Sequence, residues 1–194
     1  MDTKDTFRLY QVDTAGQLFI SGEVTDWQPL AAAGITAVID LDCKLDIGTP
    51  QVPNSVVYLF WPIDDRPELP DVALLQAIAR LGASLLQQGH KVLCQCGMGH
   101  NRSALVAGLI LVQRGWTGAE AVQRIRQQRE GALYNQVFRS YLLSLDGEGG
   151  HPAAVETRPA QAACEPSPVE RHRSGGKRGV HARRRAAAVG LAQG

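Results

Sequence analysis

The 194-residue sequence is poor in cysteine, with four, in aromatic residues, at 6%, and in long hydrophobic runs. Four thiols, Cys43, Cys94, Cys96 and Cys164, do not make the dense framework that holds small secreted domains together, so free thiols are expected. The longest apolar run, Ala104 to Val112, is nine residues between Arg102 and Arg114, against the ~20 that span a bilayer. The opening MDTKDTFRLYQV has no apolar core of the secretory-signal kind. A cytoplasmic protein with no membrane partner is therefore the expectation.

A charge excess is missing too, since the formal net charge is +1. That average conceals a division. Residues 1–146 hold twelve basic and fifteen acidic side chains, and 147–194 hold eight basic and four acidic. From Arg171 onward seven residues are basic and none is acidic. The segment from Gly147 is dominated by Gly, Ala, Pro and Arg, lacks aromatics and shows no apolar period, so it cannot bury enough surface to offset the entropy of ordering it. The expected organisation is a domain over 1–146 and a disordered basic low-complexity tail over 147–194. The tail is read as a solvated arm and not as a nucleic-acid-binding one.

Within the body, apolar runs alternate with segments of helical period. Phe7–Val12 and Leu18–Ile20 form a hairpin pattern around Ala15-Gly16, and Trp27–Ala33 reads as a short helix stopped by Gly34. Ile35–Leu41 and Val56–Ile63 are near-continuous apolar runs, the pattern of strands buried on both faces. A helix follows Pro70, and Lys91–Gln95 is another strand. Helices are then expected over Ser103–Arg114, from the Thr117–Glu120 capping box onward, and over about Asn135–Leu145. This alternation implies an α/β fold, a compact, largely parallel sheet of about four to five strands flanked by helices. Ligands on such sheets gather beyond the carboxyl ends of the strands.

One stretch of that kind carries chemistry. Val92 to Leu105 runs from a buried strand through Cys96-Gly97-Met98-Gly99-His100-Asn101-Arg102 into Ser103 and an apolar helix. A tight loop with two glycines at a helix N-terminus turns backbone N–H groups inward and makes an anion cradle. That field stabilises a thiolate on Cys96, Arg102 adds a planar fork suited to phosphate oxygens, and Ser103 offers a hydrogen bond to the sulfur. A nucleophile set in an oxyanion cradle suits covalent phosphoryl transfer. His90, Cys94, Cys96 and His100 are metal-ligand types, but alternate strand residues and a loop His lack the spacing of structural zinc. No metal and no cofactor are expected, and Cys94 is read as core.

Cys-x5-Arg-Ser after a VLxxC strand resembles the signature loop of the cysteine-dependent protein tyrosine and dual-specificity phosphatases. The likeness covers most of residues 7–145, including the GITAVIDL strand entry at Gly34–Leu41, Leu59–Asp65, and Asn135 with Phe138. The body length fits the compact dual-specificity branch, with a bacterial character in GxNRS. The resemblance implies Cys96 as nucleophile and Arg102 as phosphate clamp. Gly97, Met98, Gly99, His100 and Asn101 would supply loop amides, and Ser103 would assist breakdown of a phosphocysteine. Asp64 and Asp65 compete for the general acid, and motif position favours Asp65, 31 residues before Cys96. The implied partner is a phosphorylated protein or other phosphomonoester.

The sequence departs from the family at Gln95, where His is usual. Gln hydrogen-bonds but carries no charge, so one source of positive field beside the nucleophile is missing. Cys43 matches resolving thiols of some relatives, while an ordinary semi-buried thiol is the simpler reading. Arg124, Arg126 and Arg129 either widen a basic rim or form a solvated helix face, and His100 either lines the pocket or faces solvent. Three other readings remain: a phosphate-binding pseudophosphatase, the same chemistry on a phosphoinositide or small phosphoester, and a rhodanese-like sulfurtransferase. The last leaves the Asp pair without a task.

Overall fold

Ala37–Asp40 and Val92–Gln95 are strands in which every residue is buried, and they lie side by side in parallel. They form the middle of the sheet. The computed structural model describes residues 8–43 and 52–147, all within the unit Met1–Val155. In chain order the elements are β1 (Tyr10–Gln11), β2 (Leu18–Ser21), α1 (Gln28–Ala33), β3 (Ala37–Asp40), β4 (Val57–Phe60), α2 (Val72–Gln87) and β5 (Val92–Gln95). Helices α3 (Arg102–Gln113), α4 (Gly118–Gln128) and α5 (Gln136–Leu143) follow, and a 3-10 turn covers Ser144–Gly147. The remainder of the expected tail lies outside the described residues.

The sheet order is β1-β2-β5-β3-β4, and only the β1–β2 pair is antiparallel. Cys94 faces Ile20 on one side and Ile39 on the other, and Gln95 faces Ser21 and Asp40. The carboxyl end of β5 therefore opens between those of β2 and β3. Residues emerging from it meet loops from both neighbours, the crevice in which open α/β sheets bind ligands.

Successive side chains on a strand point to opposite faces. Val92 and Cys94 join the larger core with residues of α2, α3, α4 and α5, and Leu93 joins Leu30, Ile35 and Val38 beneath α1. Helix α3 is buried from Ser103 through Leu111, as a helix apolar on all sides must be. Gly82 allows α2 to approach it: a Cβ there would stand 2.4 Å from Ile110 Cδ1.

Local signals account for the helix ends. Gly34 closes α1 with φ +73°, and Thr117 and Glu120 form the expected capping box of α4. Asp71 caps α2 by accepting from Leu74 N. One expectation fails. The apolar run at Val56–Ile63 yields an edge strand, with Val57 48% and Phe60 44% exposed, because β4 pairs with β3 alone. Among the described residues no helix is long and apolar enough to cross a membrane.

Candidate active site

Cys96 leaves β5 only 2% exposed, with its N–H bonded to Ser21 O at 3.3 Å and its Sγ 3.3 Å from Ser103 Oγ. The loop folds back on β2. Gly99 has φ +69°, and a Cβ on it would stand 2.6 Å from Gly22 N and Ser21 C, so the close approach is open to glycine alone. The loop runs into the N-terminus of α3, whose N-cap, Asn101, places no side-chain oxygen on the helix. Cys96, the glycine loop and the N-terminus of α3 thus lie together.

Arg102 starts α3 and reaches toward β3. Its Nη1 donates to Leu41 O at 3.1 Å, to Ile63 O at 3.3 Å and to Asp42 Oδ1 at 3.3 Å, with Cys43 Sγ at 3.5 Å. Its Nη2 lies on the Gly97 side, 3.3 Å from where a Gly97 Cβ would sit. The buried Nε has no protein partner. A guanidinium pinned at one nitrogen keeps donors for an anion in the cradle. Burial works against its charge, but the neighbouring Cys96, Asp42 and Cys43 outweigh burial and raise its proton affinity.

Asp42 is a site residue that the motif did not reveal. Its N–H donates to Asp40 Oδ1 at 2.9 Å, and the Tyr58 hydroxyl donates to the other Asp40 oxygen. Tyr58 is driven well above the usual tyrosine range, first by burial and then by that bond. The available signal was the Asp-x-Asp at Asp40 and Asp42, both buried at the end of an apolar strand.

The two candidate acids differ sharply. Asp65 Oδ2 accepts from Asn101 Nδ2 at 2.8 Å and Oδ1 accepts from Asn135 Nδ2 at 2.9 Å. Asp64 instead pairs with Arg66 Nε at 3.2 Å in an exposed bridge, with Cys43 Sγ at 3.5 Å. Asp65 is therefore tied to the cradle itself, while Asp64 belongs to the outer side of its loop.

Gln95 is buried and its Oε1 accepts from Val24 N at 3.3 Å, so it fastens the segment after β2. Met98 is 64% exposed, and its carbonyl accepts from Arg129 Nη2 at 3.3 Å. Arg129 also stacks on Tyr10, and Arg124 donates to Asp13 O, so these two brace the fold, while Arg126 is exposed. The His100 carbonyl accepts from Leu133 N at 2.9 Å, and its ring lies 6.1 Å from that of Tyr134. Cys94 is fully buried, and burial followed by the neighbouring Cys96 pushes its thiol up, the behaviour of a core residue. Cys43 is exposed, and its thiol donates to Ile63 O at 2.8 Å; burial of the sulfur and the Asp64 contact push it up against the pull of Arg102. His90 Nδ1 sits 3.0 Å from Thr36 Oγ1, at the opposite end of β5 from Cys96.

Comparison with known proteins agrees with this geometry. No protein-family model matches the chain. It is 31% identical to dual specificity protein phosphatase 26 of Rattus norvegicus over 121 residues, 60% of this chain and 57% of that protein. It is 28% identical to protein tyrosine phosphatase type IVA 3 of Mus musculus over 108 residues, 55% of this chain and 62% of that protein. The match thus spans less than two thirds of either relative's length. Human DUSP28 superposes with a TM-score of 0.62 at 27% identity, covering 71% of this chain and 92% of that one. Tk-PTP in its active form superposes at 0.59 with 26% identity, covering 72% and 97%. Sheet order, cradle and relatives agree in their likeness to the cysteine-dependent dual-specificity phosphatases.

Proposed function

We propose that this chain hydrolyses phosphomonoesters on proteins through a phosphocysteine on Cys96, with Asp65 as general acid and base and Arg102 as phosphate clamp. The observation that carries the reading is the convergence on one cradle of a buried thiol, a guanidinium with an uncommitted buried Nε, and a carboxylate tied to the cradle by Asn101. The names of its relatives support a phosphoprotein substrate.

In the first step the Cys96 thiolate attacks phosphorus in line. The S–P bond forms as the P–O ester bond breaks, and Asp65 gives its proton to the leaving oxygen. In the second step Asp65 takes a proton from water, the water oxygen bonds to phosphorus, and the S–P bond breaks to return thiolate and phosphate. Arg102 and the loop amides hold the equatorial oxygens throughout, where the transition-state charge lies. The Ser103 hydroxyl stabilises the departing thiolate. One group must start deprotonated and the other protonated, so the pH–rate profile is bell-shaped.

The test is hydrolysis of p-nitrophenyl phosphate in EDTA by wild type, Cys96→Ser, Asp65→Asn and Asp64→Asn. Loss of turnover in Cys96→Ser is expected, with a larger loss on Asp65→Asn than on Asp64→Asn. Undiminished turnover in Cys96→Ser overturns the mechanism, and the reverse order at the two aspartates reassigns the acid. Vanadate binding without any turnover by wild type makes the chain a phosphate-binding module.

A further inference from the structure

We propose that Asn101 and Asn135 are positioning residues that hold the Asp65 carboxylate in register with the phosphate cradle; the assignment rests on the phosphatase reading above. Three elements of distant sequence meet here. Asp65 lies on the irregular segment between β4 and α2, Asn101 ends the cradle, and Asn135 is the N-cap of α5.

The hydrogen bonds form a closed set. Asn101 Oδ1 accepts from Asn135 N at 3.0 Å, and Asn101 Nδ2 donates to Asp65 Oδ2 at 2.8 Å. Asn135 Nδ2 donates both to Asp65 Oδ1 at 2.9 Å and to Arg66 O at 2.9 Å. Asn135 Oδ1 accepts from Val137 N at 3.1 Å and Phe138 N at 3.3 Å, capping α5. Neither amide can be turned over. A rotated Asn101 would set its NH2 against the Asn135 N–H and its oxygen against a carboxylate, and a rotated Asn135 would repeat the conflict at α5.

The side chain of Asn101 is otherwise costly where it is. It is 1% exposed and occupies a helix N-cap without capping the helix. A buried carboxamide must have partners, and those it finds are the acid and the cap of α5. Its backbone belongs to the loop that grips phosphate, so the cradle and the acid are one residue apart in the bond network. Without these bonds Asp65 is an exposed side chain on an irregular segment anchored by Trp61 N to Asp40 O, Ile63 N to Leu41 O and the Asp71 cap of α2. Each amide takes one lone pair of a carboxylate oxygen. The other lone pairs remain for the transferred proton.

A misplaced acid harms esters whose leaving oxygen needs a proton and spares those that leave as stable anions. The experiment compares kcat/KM for phenyl phosphate and 2,4-dinitrophenyl phosphate in wild type, Asn101→Ala and Asn135→Asp. The aspartate keeps an acceptor for the α5 cap and replaces the donor that faces Asp65. The loss on phenyl phosphate is expected to exceed that on the dinitrophenyl ester by about tenfold or more, the scale of a small displacement of a catalytic group. In an Asp65→Asn background neither substitution should add to the leaving-group dependence, and orthovanadate affinity should change little. Equal losses on both esters in a folded variant, or undiminished leaving-group effects on top of Asp65→Asn, overturn the proposal. If Asn135→Asp does not fold, Asn101→Ala alone decides by the same ratio. A wild type inactive on both esters fails at the phosphatase reading itself.

Discussion

Arg102 Nη1 donates to Asp42 Oδ1 at 3.3 Å, between side chains only 13% and 11% exposed. The residue proposed as the phosphate clamp is thus paired with a carboxylate. That carboxylate also borders the cradle, 3.4 Å from where a Gly97 Cβ would sit. On the proposed mechanism, Asp42 would both stabilise the fold and compete with the substrate for the same charge.

Asp42→Asn should separate these effects. Removing one partner of a mostly buried pair should lower stability by about 2–4 kcal/mol, because the guanidinium is left uncompensated. An anion should then compensate it, so inorganic phosphate should inhibit at several-fold lower concentration than in wild type. Thermal unfolding with and without phosphate, together with the inhibition constant, checks both signs. Weaker phosphate inhibition would mean that Asp42 acts chiefly by orienting Arg102.

Gly99→Ala should abolish function and Gly97→Ala should not do so to the same degree. The first places a methyl 2.6 Å from backbone atoms of Ser21 and Gly22 at a φ of +69°, where nothing flexible can yield. The second meets Arg102 Nη2 at 3.3 Å, the far end of a movable side chain. Strain of about 1–3 kcal/mol and a displaced loop should remove vanadate binding in Gly99→Ala while circular dichroism stays near native. Titration of both variants with vanadate gives the comparison.

Ser103→Ala should change which step limits turnover. Its Oγ is 3.3 Å from Cys96 Sγ, in place to stabilise the thiolate as it leaves phosphorus. The expected result is a larger burst of phenol release and a kcat lowered about tenfold, with kcat/KM nearly kept, since general acid–base and hydrogen-bond contributions of this kind run to about 10²-fold. Rapid-quench measurement on an aryl phosphate resolves the burst. A parallel fall in kcat/KM would place Ser103 in the attack step instead.

Alkaline stability should report Cys94. Burial raises its thiol above the ordinary value of 9.0, so the folded state keeps a proton that the unfolded state gives up. Stability from this group is complete below about pH 9 and declines above it, by up to about 1.4 kcal/mol per pH unit. Tyr58 adds a second decline beginning near pH 10, for the same reason and with the same sign. In urea unfolding, the stability deficit of Cys94→Ala relative to wild type should shrink between pH 8 and 10.5. A deficit constant across that range would show that Cys94 does not contribute to the alkaline loss.

Gly34, the Thr117–Glu120 box and the strand that ends at Gln95 were readable because their causes are local: a left-handed cap, a reciprocal pair of bonds one turn apart, an unbroken apolar run. β4 was misjudged for the opposite reason. Its apolar composition says that it joins a sheet, but exposure depends on how many strands flank it, and composition near Val57 and Phe60 carries no information about that.

The same line divides the site. The order Cys96, two glycines, Arg102 and Ser103 by itself determined a thiol set in a glycine loop at a helix N-terminus, since a short loop between a strand and a helix closes within its own residues. Tertiary structure decided the partners of that cradle. Asp42 reaches Arg102, and Asp65 reaches Asn101 and Asn135, across separations of 36 to 70 residues. Those meetings depend on the sheet order that sets β5 beside β3 and on the packing of α5 against α3. Hydrogen bonds are short-ranged, so which of two adjacent aspartates faces the cradle follows from where distant elements pack.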